Sequence, residues 1–264
     1  MLPVFLINLG RSPDRLAFMT EQFGALGVDW HRLPAVDASE SEFVRPLGSD
    51  GLTDAEVAVW QSHQGCWRDI CEKYPQGGVV IEDDVHLSKS FPSVLASLET
   101  CPADLVKLET SLRRVFLGQP MGGGEGSGTG LYELRSWHGG AACYFISAHA
   151  CRQLLAVPIG RWPVDVVLFE PMFQTAGLRL RTAQAVPAVA VQDQFLRRFQ
   201  SDSAREFQST IARKSKSSHR GRHRSLAQLV ERIGYKCRVW FSRLTRIARG
   251  HAYTRVPIGA LVKR

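Results

Sequence analysis

The chain is poor in cysteine, and none of its six cysteines stands in a Cys-x-x-Cys pair. That spacing offers no disulfide framework and no cysteine-based metal knuckle. Cys66, Cys71, Cys101, Cys143, Cys151 and Cys237 read instead as reduced, mostly buried small hydrophobes of a cytosolic protein. Long apolar runs are missing as well: nothing approaches the ~18 uninterrupted apolar residues of a membrane-spanning helix. The N-terminal apolar run lacks a basic flank and is broken by Asn8, which is not the pattern of a secretory signal. Seven glycines lie between Gly118 and Gly130, yet no strand and helix frame them as Gly-x-Gly-x-x-Gly. A dinucleotide cradle is therefore disfavoured, and the segment reads as a hairpin tip or as a loop closing over substrate. Acids are scarce at one end. From Arg197 onward 18 Lys and Arg face 3 acids, whereas the preceding part holds 15 against 22. An acidic body thus carries a strongly basic tail, which implies an anionic partner.

What is present is organised around Val79-Val80-Ile81-Glu82-Asp83-Asp84-Val85. A short β-branched run entering three acids reads as a buried strand with carboxylates at its end. Alternation along a strand sends Glu82 and Asp84 to one side and Asp83 to the other. The carboxylates would raise one another's pKa unless a hard cation such as Mg²⁺ or Mn²⁺ sat between them. Glu82 and Asp84 then form a metal-holding pair; the other reading is a solvated acidic turn.

The same topology recurs before and after. Pro3 to Leu9 predicts a buried strand, Ser12-Pro13 a helix start, and Leu16, Met19, Phe23 and Leu26 one face of a helix ended by Gly27. Trp30 to Val36 predicts a second strand with Asp37 at its end. Strand–helix–strand order implies an α/β sheet flanked by helices, with ligands at the carboxyl ends of its strands, where Asn8, Asp37 and the Glu82–Asp84 cluster fall. Thr53 and Glu56 form a capping box opening a helix that carries Ser62 and His63, either site-facing or structural. Asp104 to Leu108 predicts another strand, and Arg114–Leu117 with Leu131–Leu134 the hairpin around the glycines. The small residues Gly139-Gly140-Ala141-Ala142 permit close approach by a ligand before a strand to Ser147. Asp165 and Glu170 stand in an apolar stretch; a desolvated acid suits a general base, although Asp165 also suits a helix start. We divide the chain into a body of residues 1–209, a basic linker 210–225 and a tail 226–264. In the tail, Leu226, Leu229, Val230, Ile233, Cys237, Trp240, Phe241, Leu244, Ile247 and Ala248 recur at helical spacing beside Arg232, Lys236, Arg238, Arg243, Arg246 and Arg249. This pattern is an amphipathic helix lying in a membrane surface or docked on the body. No nucleic-acid module accompanies the charge, which disfavours nucleic acid.

Together these motifs resemble the family 25 glycosyltransferases of the lipooligosaccharide galactosyltransferase type. The resemblance rests on Val4 to Leu9 with Arg11, Asp14 and Arg15; Pro34 to Asp37; Glu56 with Ser62-His63; Ile81 to Asp84; Val106 to Leu108; and Tyr144 to Ser147 with Pro163 to Asp165. Two stretches depart from the family pattern, Val57 to Trp60 and Gly139 to Ala142. The resemblance implies a GT-A-like fold with a mixed, mostly parallel sheet, a UDP-sugar donor (UDP-galactose most often), Mn²⁺ or Mg²⁺ on Glu82 and Asp84, and inversion at the sugar carbon. It also implies Asn8, Leu9, Arg11, Arg15, Asp37, Ser62, His63 and Asp83 around the nucleotide, Gly139 and Gly140 on the acceptor side, and Asp165, with Glu170 in reserve, as base. The acceptor would be a lipid-linked oligosaccharide, reached from the cytoplasmic face of the membrane by a peripheral enzyme held through its basic tail. Other readings remain: an inactive nucleotide- or glycan-binding module, or the same enzyme using UDP-glucose or UDP-N-acetylglucosamine.

Overall fold

The computed structural model describes residues 2–122, 127–171, 178–196 and 245–262. The linker 210–225 and the apolar stripe from Leu226 to Leu244 lie outside the described residues. The chain opens with β1 (Val4–Asn8), α1 (Pro13–Leu26), β2 (His31–Pro34), α2 (Asp54–Lys73) and β3 (Gly78–Glu82). There follow β4 (Val85–Leu87), α3 (Phe91–Ser97), β5 (Leu105–Lys107), β6 (Glu109–Thr110), β7 (Arg114–Pro120), β8 (Gly130–Leu134) and β9 (Cys143–Ile146). Then come α4 (Ala148–Leu155), α5 (Val164–Phe169), β10 (Thr182–Val186), β11 (Ala190–Gln192), α6 (Asp193–Leu196) and β12 (Ala252–Arg255).

Local signals explain most boundaries. α1 begins with Pro at its first turn, and Gly27 ends it in the left-handed region at φ 63°, where an L side chain would be strained. Ser12 sits at the cap position without a side-chain capping bond; its carbonyl instead accepts from Asn8 Nδ2 at 3.1 Å. α2 begins with the expected capping box: Thr53 Oγ1 accepts from the Glu56 amide at 3.2 Å, and Glu56 Oε2 accepts from the Thr53 amide at 2.7 Å.

Nine strands form a mixed sheet in the order β12-β7-β8-β10-β5-β9-β3-β1-β2. β2, β1, β3, β5, β10 and β7 run one way, and β9, β8 and β12 run against them. A second sheet, β4-β11-β6, stands beside it. The apolar runs are continuous because the central strands are covered on both faces. Phe5, Ile7, Val80, Leu105, Tyr144 and Ile146 point into one core with Trp60, Trp67 and Ile70 of α2 and Leu154 of α4. Val4, Leu6, Val79, Ile81, Val106 and Phe145 point into the other with Phe18, Met19 and Phe23 of α1 and Leu95 of α3. This two-sided alternation fixes register, since a one-residue slip would exchange the cores.

The chain's end departs in part from expectation. Of the expected helix from Leu226 to Ala248, the described residues 245–248 are helical, but the tail does not continue as a separate membrane-associating segment to residue 264: β12 pairs antiparallel with β7 at the sheet edge. Val256 is fully buried, and its carbonyl accepts from Thr110 Oγ1 at 2.8 Å. The Lys89 amide donates to Ala260 O at 2.8 Å, and the Val262 amide to Leu87 O at 3.0 Å. Residues 252–262 therefore belong to the body: β12, itself mostly exposed, supplies backbone partners to an edge of β7 that would otherwise be unpaired, and Val256 anchors the segment in the core. Val256→Ala is expected to destabilise the protein by roughly 2 kcal/mol through the cavity it leaves, and a melting temperature equal to wild type would contradict this docking.

Candidate active site

The carboxyl ends of β1, β2 and β3 open onto a cavity of about 360 Å³. β1 and β3 run parallel with Ile7 opposite Glu82, so both chains turn away from the sheet at one level. Such a crevice, where neighbouring strands send their connections to different faces, is the usual ligand position in an α/β sheet.

Strand parity distributes the three acids. Glu82 follows Val80 onto the α2 face, where His63 Nε2 lies 3.3 Å from its Oε1. Asp83 follows Ile81 onto the α1 face. There it accepts from Asn8 Nδ2 at 2.7 Å and from Arg15 at 2.9 Å, and it is 6% exposed. Asp84 stands in the turn into β4, with Gln192 Nε2 at 3.3 Å from its Oδ1 and its carbonyl accepting from the Asp193 amide at 2.8 Å. All three acids line the cavity, but only Asp83 has a cationic partner there.

The other two are therefore short of compensation. Burial pushes the Glu82 carboxyl up to about 8, with help from the charges of Glu109, Asp83 and Asp165 against Lys107. Burial and then the charge of Glu82 push Asp84 up to about 7, against Arg15 and the Gln192 hydrogen bond. Burial holds His63 neutral, down to about 4. Trp67 Nε1 donates to Tyr144 Oη at 2.8 Å, and Tyr144 Oη lies 2.8 Å from His63 Nδ1. The tyrosine proton therefore goes to Nδ1, which leaves Nε2–H to donate to Glu82. Two carboxylates facing one cavity fit a hard divalent cation, which commonly takes one or two carboxylates and completes its shell with phosphate and water. No three His, Cys, Asp or Glu side chains converge as a protein-only metal site among the described residues.

The opposite wall suits a nucleotide. Arg11, half exposed, is ion-paired to Asp37 and donates to Ser39 Oγ at 2.9 Å. Asp37 Oδ1 also accepts from the Ser39 amide at 2.9 Å. Ser62 anchors this wall, accepting from the Val36 amide at 2.9 Å and donating to Ala58 O at 2.8 Å. Of the residues expected near a nucleotide, Leu9, Arg11, Arg15, Asp37, Ser62, His63 and Asp83 line the cavity. Asn8 lies behind it. The Asn8 side chain is 1% exposed residue-wide and bonds Ser12 O, Asp83 and Arg32, so it braces the wall.

Gly139, Gly140, Asp165 and Glu170 lie off the cavity wall. Asp165, in the first turn of α5, accepts from the Gly140 amide at 3.0 Å, and its charge reaches Glu82 and His63. It thus borders the acidic end and also holds a loop. Glu170 is buried beyond the C-terminus of α5. Sequence reading missed Gln192 and Gln194, which form part of the wall, and the buried pair Lys107–Glu109 beneath it. The first had a signal, polar residues closing Val189-Ala190-Val191; the second, at the end of β5 and the start of β6, had only its apolar neighbours Val106 and Leu108.

A family model described as glycosyltransferase family 25 (LPS biosynthesis protein) matches residues 1–168. The lacto-N-neotetraose biosynthesis glycosyltransferase LgtB of Neisseria meningitidis is 29% identical over 207 residues, 71% of this chain and 73% of its own. The lacto-N-neotetraose biosynthesis glycosyltransferase LgtE of the same species is 28% identical over 218 residues, 75% of this chain and 77% of its own. A shorter match, 30% over 125 residues, covers 40% of this chain and 21% of a Bos taurus protein described as a probable inactive glycosyltransferase 25 family member 3. The family match runs from β1 into α5, the stretch that supplies the three acids and His63, and the chain belongs to glycosyltransferase family 25.

Proposed function

We propose that this glycosyltransferase moves a hexose, galactose from UDP-galactose, onto a lipooligosaccharide acceptor by metal-dependent inverting transfer. One observation carries the reading: Glu82 and Asp84, both short of positive charge, share a cavity with Arg11, Asp37 and His63. The GT-A-like description belongs to the same proposal. So does the donor, which the lacto-N-neotetraose names of two relatives support only by analogy.

In this reading Arg11, Asp37 and Ser39 bind and orient the nucleotide, Arg matching phosphate geometry and Asp37 accepting from a sugar hydroxyl. Glu82 and Asp84 would hold Mn²⁺ or Mg²⁺, and the cation supplies Lewis-acid stabilisation of the leaving diphosphate. Neutral His63 keeps Glu82 aimed into the cavity, and Arg15 with Asn8 fixes Asp83 so that the turn cannot swing. Asp165 takes the proton from the acceptor hydroxyl as its oxygen bonds to the sugar carbon and UDP departs; one such displacement inverts that carbon. Glu170 is the lesser candidate because it is buried away from the cavity. The basic segment would hold the enzyme on an anionic cytoplasmic leaflet near its acceptor. An inactive nucleotide-binding module is the second reading, favoured by the bovine relative's name.

A UDP-sugar panel with and without Mn²⁺, read by UDP release, separates these readings. Asp84→Asn is expected to lower Mn²⁺-dependent release by about 100-fold or more while the fold is kept; turnover equal to wild type would remove Asp84 from the site.

The raised carboxyls also set a pH dependence. Glu82 and Asp84 titrate near 8 and 7, above their ordinary values of 4.5 and 3.8, so the stability they contribute is complete below those ordinary values and is lost as pH rises from there through the folded values. His63, Asp83, Asp84, Glu109, Asp165 and Lys107 all act on Glu82. The metal-free protein should melt lower at pH 8 than at about pH 6.5, with a smaller drop in Glu82→Gln. An equal drop in both proteins would contradict the assignment. Finally, replacing Arg232, Lys236, Arg238 and Arg243 by Gln should release the protein from anionic liposomes, each charge contributing about 1 kcal/mol; unchanged co-sedimentation would sink the membrane role.

A further inference from the structure

Beneath the cavity lies an ion pair with no contact to solvent. Lys107 Nζ stands 2.9 Å from Glu109 Oε1, and both side chains are 0% exposed. Burying two charges rarely adds net stability over an apolar pair of the same volume. The pair's remaining hydrogen bonds show what else it does. Lys107 Nζ donates to Gly140 O at 2.6 Å, and Glu109 Oε1 accepts from the Ala142 amide at 2.7 Å. The Gly140 amide donates to Asp165 Oδ2 at 3.0 Å. Three charged groups thus grip one four-residue turn. The ammonium also sits 4.5 Å from the centre of the Phe169 ring, which ties the grip to α5.

The turn is made for this contact. Gly140 adopts φ 96°, and a Cβ there would lie 2.9 Å from Glu109 Oε1 and 3.2 Å from Oε2. Glu109 Oε2 itself is buried with no hydrogen-bond partner among the described residues. An orphaned carboxylate oxygen is a destabilising arrangement that persists only where its surroundings hold it. On its far side the turn reaches the acids directly: Ala142 O accepts from the Glu82 amide at 2.8 Å. The span therefore links the candidate base at Gly140 to the main chain of Glu82, which carries the candidate metal carboxylate, at Ala142.

We infer that Lys107 and Glu109 are positioning residues for sugar transfer, clamping Gly140–Ala142 so that Asp165 and Glu82 keep a fixed separation across the reacting atoms. This inference rests on the transferase reading above. The clamp touches neither donor nor acceptor; it acts through the backbone of one turn. Its loss should reach the rate of the chemical step more than donor binding, because Arg11, Asp37 and Ser39 lie on other elements.

The test compares Glu109→Gln, Lys107→Met and the double variant with wild type. UDP release from UDP-galactose with Mn²⁺ gives kcat and KM, thermal unfolding gives stability, and amide exchange follows the peptide spanning residues 139–142. Glu109→Gln should lower kcat by about 100-fold with KM within about threefold, and the peptide should exchange faster. Each single variant leaves one buried charge uncompensated and should melt lower; the double variant leaves none and should regain stability. Recovery of melting temperature without recovery of kcat supports the clamp and also serves if a single variant does not fold. Recovery of both together, or single variants with wild-type kcat and exchange, overturns it. A wild-type protein that releases no UDP overturns the transferase reading and this inference with it, whereas an active wild type with indifferent variants overturns the inference alone.

Discussion

Three consecutive carboxyl groups at the end of a buried strand repel one another, and the surrounding structure is arranged around that repulsion. The alternation of β3 separates the first two before any partner is considered. Asp83 goes to the α1 face, where Arg15 neutralises it and Asn8 donates to it. Glu82 goes to the α2 face and meets a neutral imidazole, a donor that orients it without removing its charge. Asp84, past the strand end, meets an amide. The outcome is one satisfied acid flanked by two that are not, and both unsatisfied ones face the same cavity. Desolvated charge of this kind is found at sites that bind a counter-charge.

That arrangement accounts for features some distance away. α2 must be long and well started, because it places Ser62 against the Val36–Asp37 wall of the cavity and His63 against Glu82. Its capping box holds the first turn, and Trp60, Trp67 and Ile70 seat it on the sheet. β9 contributes twice: Tyr144 sets the imidazole tautomer, and the turn leading into β9 receives the Lys107–Glu109 grip. β11, from the smaller sheet, brings Gln192 to Asp84. A site assembled from strands of two sheets and helices on both faces depends on register everywhere, which continuous two-sided burial provides.

Much of this was legible in the sequence, for physical reasons. Short β-branched runs next to Asn8 and Glu82 announced strands with polar ends, and parallel order placed those ends together. Thr53 with Glu56 announced α2, and Gly27 the end of α1. Parity correctly put Glu82 and Asp83 on opposite sides. Parity does not extend to Asp84, because β3 stops at Glu82 and a turn has no alternation, yet Asp84 lines the same cavity as Glu82. Asn8 looked like a ligand residue but is a brace, since a buried amide with three partners near the strand end resembles a binding group in one dimension. Lys107 and Glu109 escaped notice because a charged residue is ordinarily outside, and only coordinates reveal two that are inside together. The final strand was hidden for a similar reason: a stripe at helical spacing upstream set the expectation for residues whose seat is a distant sheet edge.

The seating of residues 252–262 has a geometric consequence for the basic stretch. Leu196 ends α6, next to the cavity-wall residues Gln192 and Gln194, and the chain rejoins the described body at residue 245. The 48 residues from 197 to 244 are therefore joined to described parts of the body at both ends. A moored segment reaches at most half its contour, ~80 Å at full extension, and its first mooring adjoins the acidic pocket. An anionic surface held by those arginines, as proposed, would stay within a bounded distance of Asp84 and would pull at the pocket's own rim.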